Sequence, residues 1–242
     1  MARATLWFPL LLKHLDTGLN NSRLIGCLQE SKGLAKAKDF CLDLWPFVRE
    51  LPDNIAKVRD GLPQDMAPAR SLLSQLADEE SVYRSLFVKQ CLLLGLTESD
   101  LEVSRDNSAA NHLRYLMNAF CQSGDYHNGM LAIVTAELAA AAFARKVAPF
   151  YEEHFRKHSS SYRPEQIEEG LEWLRLHANP QTRNAFLLHR AVRALDRIES
   201  QPIPYPIEEV LEAILCLWSS SSQTADDTGF GTKAETTKLA SV

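Results

Sequence analysis

The sequence has no CxxC pair. Its five cysteines, Cys27, Cys41, Cys91, Cys121 and Cys216, are scattered, mostly on apolar faces, so no paired-cysteine motif is present and they read as reduced core residues, which fits a cytoplasmic protein. No Lys/Arg cluster with interleaved aromatics occurs, and the formal charge of −5 with a pI near 5.8 argues against a nucleic-acid partner. No apolar run is long enough for a membrane span: ATLWFPLLLKHL near the start is too short and has no cleavage-site pattern after it, so it reads as a docking helix or arm. No stretch alternates apolar and polar residues well enough to be a strand.

What is present is helical periodicity. The 242 residues, 45% hydrophobic and 24% charged, have ordinary globular composition and can bury a sizeable core. From Pro68 to Leu96, Leu73, Leu76, Glu80, Tyr83, Phe87, Cys91 and Leu94 share one face at three-and-four spacing, which turns Glu80 inward. A buried lone carboxylate must be protonated, paired, hydrogen-bonded or metal-bound. The bland alternative is a satisfied core glutamate, or one turned to solvent beside Glu79. Glu137 carries a stronger burial signal. It sits in a helical, alanine-rich stretch from Gly129 to His158, and its helical neighbours Ile133, Val134, Ala140 and Ala141 are all apolar.

The other segments are read the same way. Residues 1–30 form an N-terminal arm of two short helical pieces separated by a turn at Gly18 to Ser22. The bundle spans 31–218. From Gly33, Phe40, Leu44, Phe47, Val48 and Leu51 share a face; Pro46 should kink or restart that helix, and Asp53 to Arg59 should form a short separate one. Thr97 and Asp100 have capping-box spacing, SRDNSAAN reads as a loop, and His112 to Ser123 resumes a helix. Pro164 suits a first helical position before Glu165 to His177, with Ile167, Leu171 and Leu174 inward. Asn179-Pro180 ends that helix or kinks one continuous helix, which runs on to about Glu199; QPIPYP connects, and Ile207 to Trp218 closes the core. Residues 219–242 have the composition of a flexible tail. The expected fold is all-α: a single-domain bundle of about seven helices.

Taken together, DFCLDLWPFVRELPDNIAKVRDGLP, LADEESVYRSLFVKQCLLLGL, the Glu137 helix and EWLRLHANPQTRN resemble the heme-oxygenase-like superfamily over roughly residues 30–200, most closely its di-iron oxidase and oxygenase branch of CADD-like proteins, with thiaminase II and the PQQ-synthesis oxidase as structural cousins. In that branch two irons are held by a Glu with a His three or more residues on, a Glu on the next long helix, and a His-x3-Asp-x2-His pattern. Carried onto this chain, the resemblance implies Glu80, Glu137 and His177 as metal ligands. The other three positions hold Tyr83, Gln181 and Asn184; the amide oxygens of Gln181 and Asn184 are weak donors for iron, and Tyr83 is either a phenolate ligand to ferric iron or part of the wall. They are expected beside the substrate, along with the pocket-wall residues Trp45 and Phe47.

The resemblance implies a non-heme iron oxidoreductase acting with dioxygen on an organic metabolite in specialised or cofactor biosynthesis. It also implies a homodimer. The retained set suits one metal, and a di-iron centre would need Glu79, His189 or Glu153 to enter the site. The alternatives are a metal-free enzyme of the same fold and a ligand-binding or interaction protein with a degenerate site. Thiaminase-type hydrolysis requires an activated cysteine; Cys121 has no evident base nearby, and LDLWPFV lacks the Tyr-Gln-Asp run of that family.

Overall fold

In the computed structural model, residues 7–28, 33–103, 105–179 and 203–220 are described. They form nine α-helices and no strand: α1 (Trp7–Asn20), α2 (Arg23–Leu28), α3 (Gly33–Gly61), α4 (Ala67–Leu93), α5 (Glu98–Leu101), α6 (Ser108–Gln122), α7 (Tyr126–Lys157), α8 (Pro164–Ala178) and α9 (Tyr205–Ser220), with a short 3₁₀ turn at Ser159–Ser161. The all-α expectation holds. The count exceeds seven because the N-terminal pieces are separate helices and the Thr97 cap starts a helix of one turn. No helix among the described residues is long and apolar enough to cross a membrane.

The long helices pack in fixed register. α3 and α4 run antiparallel: Trp45 stacks on Phe87 with ring centres 6.4 Å apart, Arg84 donates to the Arg49 carbonyl, and Arg70 donates to the Leu62 carbonyl at 2.8 Å. α4 and α8 are also antiparallel, joined by Phe87 on Trp173, Tyr83 on His177 and the ion pair between Lys89 and Glu169. α7 returns against α3, where Phe143 meets Phe40 and Gly129 lies against Val58. α9 covers the remaining side with Ile207, Val210, Ile214, Leu217 and Trp218 buried. The N-terminal arm is docked, since Trp7, Leu11, Leu15 and Leu24 are fully buried and the Ser22 hydroxyl donates to the Trp218 carbonyl at 2.9 Å. Each such large apolar side chain contributes about 1.5–3 kcal/mol through burial.

Of the two alternatives at Pro46, the restart is excluded, and the expectation that Asp53 to Arg59 is a separate helix is corrected: α3 runs from Gly33 to Gly61 through both Pro46 and Pro52. The missing backbone donors cost stability locally, but the apolar face from Phe40 to Val58 is packed on both sides of each proline, and tertiary burial outweighs the loss. α6 also starts earlier than His112. Asn107 caps it, its side chain accepting from the amides of Ala109 and Ala110.

That cap is tied to α3. Asn107 donates to buried Asp43 at 2.7 Å, and Arg105 reaches both Asp43 and Asp39. Burial pushes the Asp43 carboxyl above its usual range, opposed by the Asn107 bond and the Arg105 charge. Asn107→Ala removes a cap and strips a hydrogen bond from a buried carboxylate, so urea unfolding is expected to show a loss of about 1–3 kcal/mol. A change below about 0.3 kcal/mol would show that the link to α3 contributes nothing.

Candidate functional site

Glu80, Glu137 and His177 come from three helices, α4, α7 and α8, and all three are buried. One ligand atom from each lies within 4.8 Å of the other two. The sequence reason is plain for the carboxylates: each occupies an apolar stripe, and packing that stripe inward takes the glutamate with it. His177 follows Leu171 and Leu174 on the buried face of α8. Its Nδ1 lies 2.9 Å from the Trp173 carbonyl one turn earlier. A carbonyl only accepts, so Nδ1 carries the proton and Nε2 keeps its lone pair, the arrangement found for metal-bound histidines.

The three groups form part of the wall of one pocket. From α3 come Phe40, Leu44, Phe47, Val48 and Leu51, the same five residues that share a face in the sequence. Leu113 of α6, Ala136, Ala139, Ala140 and Phe143 of α7, Trp173 of α8, and Ile214, Leu217 and Trp218 of α9 complete the described lining. The alanines flanking Glu137 make the room, because larger side chains at those positions would fill it.

Of the expected pocket-wall residues, Phe47 lines the space, whereas Trp45 and Tyr83 are not among its lining residues. Trp45 is turned instead toward α4, where it stacks on Phe87. Tyr83 is half-buried with its ring 4.9 Å from that of His177. Gln181, Asn184 and His189, and the helix expected after Pro180, lie outside the described residues. Glu153 is not at the site: it is on the surface, bonded to Arg156 and Lys157. Glu79 is not among the clustered ligands, although its charge adds to the upward shift at Glu137. Cys121 is buried away from the pocket lining, and burial pushes its thiol up to about 12, which rules out a ready thiolate nucleophile. The lining residues the sequence reading did not place at the site include Trp173, Phe143, Ala136 and Ala139; the signals were the i−4 spacing of Trp173 from His177 and the alanine run on the Glu137 face.

Burial sets the charge state of the site. It pushes the Glu137 carboxyl up to about 8, with the Glu79 charge adding to the shift. It pulls the His177 imidazole down to about 4, against the bond to the Trp173 carbonyl. Near neutrality the metal-free site therefore holds a protonated Glu137 and an uncharged imidazole. A divalent cation would reverse the first of these, because it favours the ionised carboxylate.

The pH dependence follows by linkage. Between 4.5 and about 8 the folded metal-free protein holds a proton on Glu137 that the unfolded chain has lost, so stability falls as pH rises. Between about 4 and 6.5 the unfolded chain protonates its His177 and the folded one does not, so stability rises with pH. The two oppose each other up to 6.5, and a net fall remains from there to about 8, of no more than roughly 1.4 kcal/mol per pH unit. Glu137→Gln is expected to abolish that fall, as read by urea unfolding in chelator. An unchanged fall would assign it to other groups.

The donor set fits one divalent ion: two carboxylates and an imidazole can offset its charge while leaving coordination positions open. It does not supply two irons, since the described residues around the cluster offer no further His, Cys, Asp or Glu ligand to it.

No protein-family model and no curated protein sequence matches the chain. Its fold does match a solved structure, a TenA homolog from Pseudomonas syringae pv. tomato, with a TM-score of 0.67 over 88% of this chain and 88% of that one at 17% sequence identity. At that identity the likeness shows an all-helical fold of the kind that this TenA homolog has, and gives no support to the di-iron branch.

Proposed function

We propose that the protein is a small-molecule enzyme in which Glu80, Glu137 and His177 hold a single ferrous ion beside the apolar pocket, an oxidoreductase that acts with dioxygen on an organic metabolite. The observation that carries this reading is the convergence of the three buried groups on one pocket wall. A divalent ion would favour the ionised form of the Glu137 carboxyl, which burial otherwise keeps protonated near neutrality. Bound iron would supply oxygen activation at the positions the protein leaves open.

The chain's own residues do the rest. The Trp173 carbonyl fixes the His177 tautomer and ring orientation. The packed faces of α3, α7 and α9 exclude water and position the substrate. A homodimer and a place in specialised or cofactor biosynthesis belong to this reading through the resemblance rather than through the site.

Metal uptake tests it. Because Glu137 must lose its proton to bind, ferrous affinity measured without oxygen is expected to rise with pH up to about 8 and then level off. In Glu137→Gln this rise should vanish along with most of the affinity. Uptake that is absent at every pH overturns the metal reading. A second reading, metal-free acid–base chemistry, is favoured by one observation: a carboxyl titrating near 8 beside a neutral imidazole is suited to proton transfer at physiological pH.

A further inference from the structure

Three contacts hold the imidazole of His177. Its Nδ1 lies 2.9 Å from the Trp173 carbonyl, the Trp173 ring is centred 4.3 Å from it at a 35° tilt, and the Tyr83 ring is centred 4.9 Å from it at 59°. The first two come from α8 itself, one turn back, so they move with His177 and fix it only on its own helix. Tyr83 belongs to α4. It follows Glu80 by three residues on that helix, a spacing that puts both side chains on one face. Of the three contacts, the one from Tyr83 can therefore set the imidazole relative to a second ligand.

The place of His177 in α8 makes that contact matter. Phe87 on Trp173 and Tyr83 on His177 are successive rungs of the antiparallel α4 and α8 pair. Glu80 stands about one turn further along α4, whereas α8 stops at Ala178, so no further turn of α8 stands behind the imidazole. A functional site needs its groups held to within about 0.5 Å, and a single hydrogen bond leaves a ring able to swing about it. Tyr83 is half-buried against the core and is not among the described pocket-lining residues.

From this geometry we infer that Tyr83 is a positioning residue, whose aromatic ring holds the His177 imidazole in register with Glu80, and that it is neither a metal ligand nor a substrate contact. The purpose of that alignment rests on the proposed metal site; the alignment itself is testable without metal.

The test uses the full-length protein, metal-free and loaded with cobalt(II), with Tyr83→Phe keeping the ring and Tyr83→Leu removing it. In the metal-free protein, three-bond NMR couplings are expected to show one χ1 rotamer of His177 in the parent and in Tyr83→Phe, and averaging in Tyr83→Leu. Cobalt affinity is expected to be unchanged in Tyr83→Phe and about 10–100-fold weaker in Tyr83→Leu. The visible spectrum of cobalt bound to Tyr83→Leu should change as well, which a mere loss of stability would not produce. Loss of affinity in Tyr83→Phe, or a single rotamer or full affinity in Tyr83→Leu, overturns the inference. If Tyr83→Leu does not fold, Tyr83→Phe decides: a rotamer and cobalt spectrum like the parent's support the ring, and a change in either overturns it. A parent that binds no cobalt overturns the metal reading, and the rotamers in metal-free protein then decide the role of Tyr83.

Discussion

Glu137→Ala is expected to lose bound iron and, once stripped of metal, to be more stable than the parent at pH 8. Removing a ligand to a site with only three protein donors should weaken ferrous binding by more than the 10–100-fold typical of losing a supporting hydrogen bond. Removing a buried carboxylate that burial has pushed up to about 8 relieves desolvation, as when buried charges are replaced by apolar groups. A glutamate that merely braced the core would show the reverse, a less stable protein with metal content unchanged. His177→Ala separates the cases further: it should also lose iron, yet lose stability as well, because it removes the side-chain bond to the Trp173 carbonyl and opens a cavity between α4 and α8. Iron counted after gel filtration without oxygen, together with urea unfolding in chelator, gives both readouts. Iron retained equally by all three proteins would remove the metal role from these residues.

Gly170→Ala is expected to destabilise the protein by about 1–3 kcal/mol although alanine is the better helix former. A Cβ at Gly170 would lie 2.6 Å from both Cβ and Cδ2 of Leu93, where α8 crosses α4. Cβ of Leu93 cannot swing aside as a flexible side-chain tip would, so the helices must separate. That crossing also holds His177 near Glu80, two turns of α8 further on, and iron affinity is expected to fall with the stability. Gly26 is the control. It is exposed within α2 with nothing within 4 Å of its would-be Cβ, and Gly26→Ala should stabilise by about 0.5–1 kcal/mol. Thermal melts of the two variants moving in the same direction would refute the close approach of α4 and α8.

Much of this site was legible before any coordinates, for one physical reason: apolar faces recur every three to four residues, and a polar residue on such a face has to go in with it. Glu80, Glu137 and the row from Phe40 to Leu51 were readable in this way. Trp45 was misplaced because a helix face read from sequence has an angular width, and a residue at its edge can turn to the neighbouring helix, here α4. The unbroken course of α3 was hidden because a proline's local cost is visible in sequence and the packing that offsets it is not. Asp43 gave no signal at all: its partners Arg105 and Asn107 lie in a stretch that reads as a loop, and only the fold brings them together. The polar positions 181 and 184 fall outside the described residues, so their expected place beside the substrate rests on the resemblance alone.

The weight of the TenA likeness is on architecture. At 17% identity it supports the bundle that brings α4, α7 and α8 together and says nothing of whether the pocket uses a metal. The chemistry has to be decided at Glu80, Glu137 and His177 themselves. The most direct measurement is a crystal structure of iron-loaded protein with anomalous differences collected on both sides of the iron absorption edge. The expected result is one iron peak bounded by the two carboxylates and the imidazole. Full occupancy elsewhere, for instance on the stacked surface pair His154 and His158, with nothing between Glu80, Glu137 and His177, would contradict it.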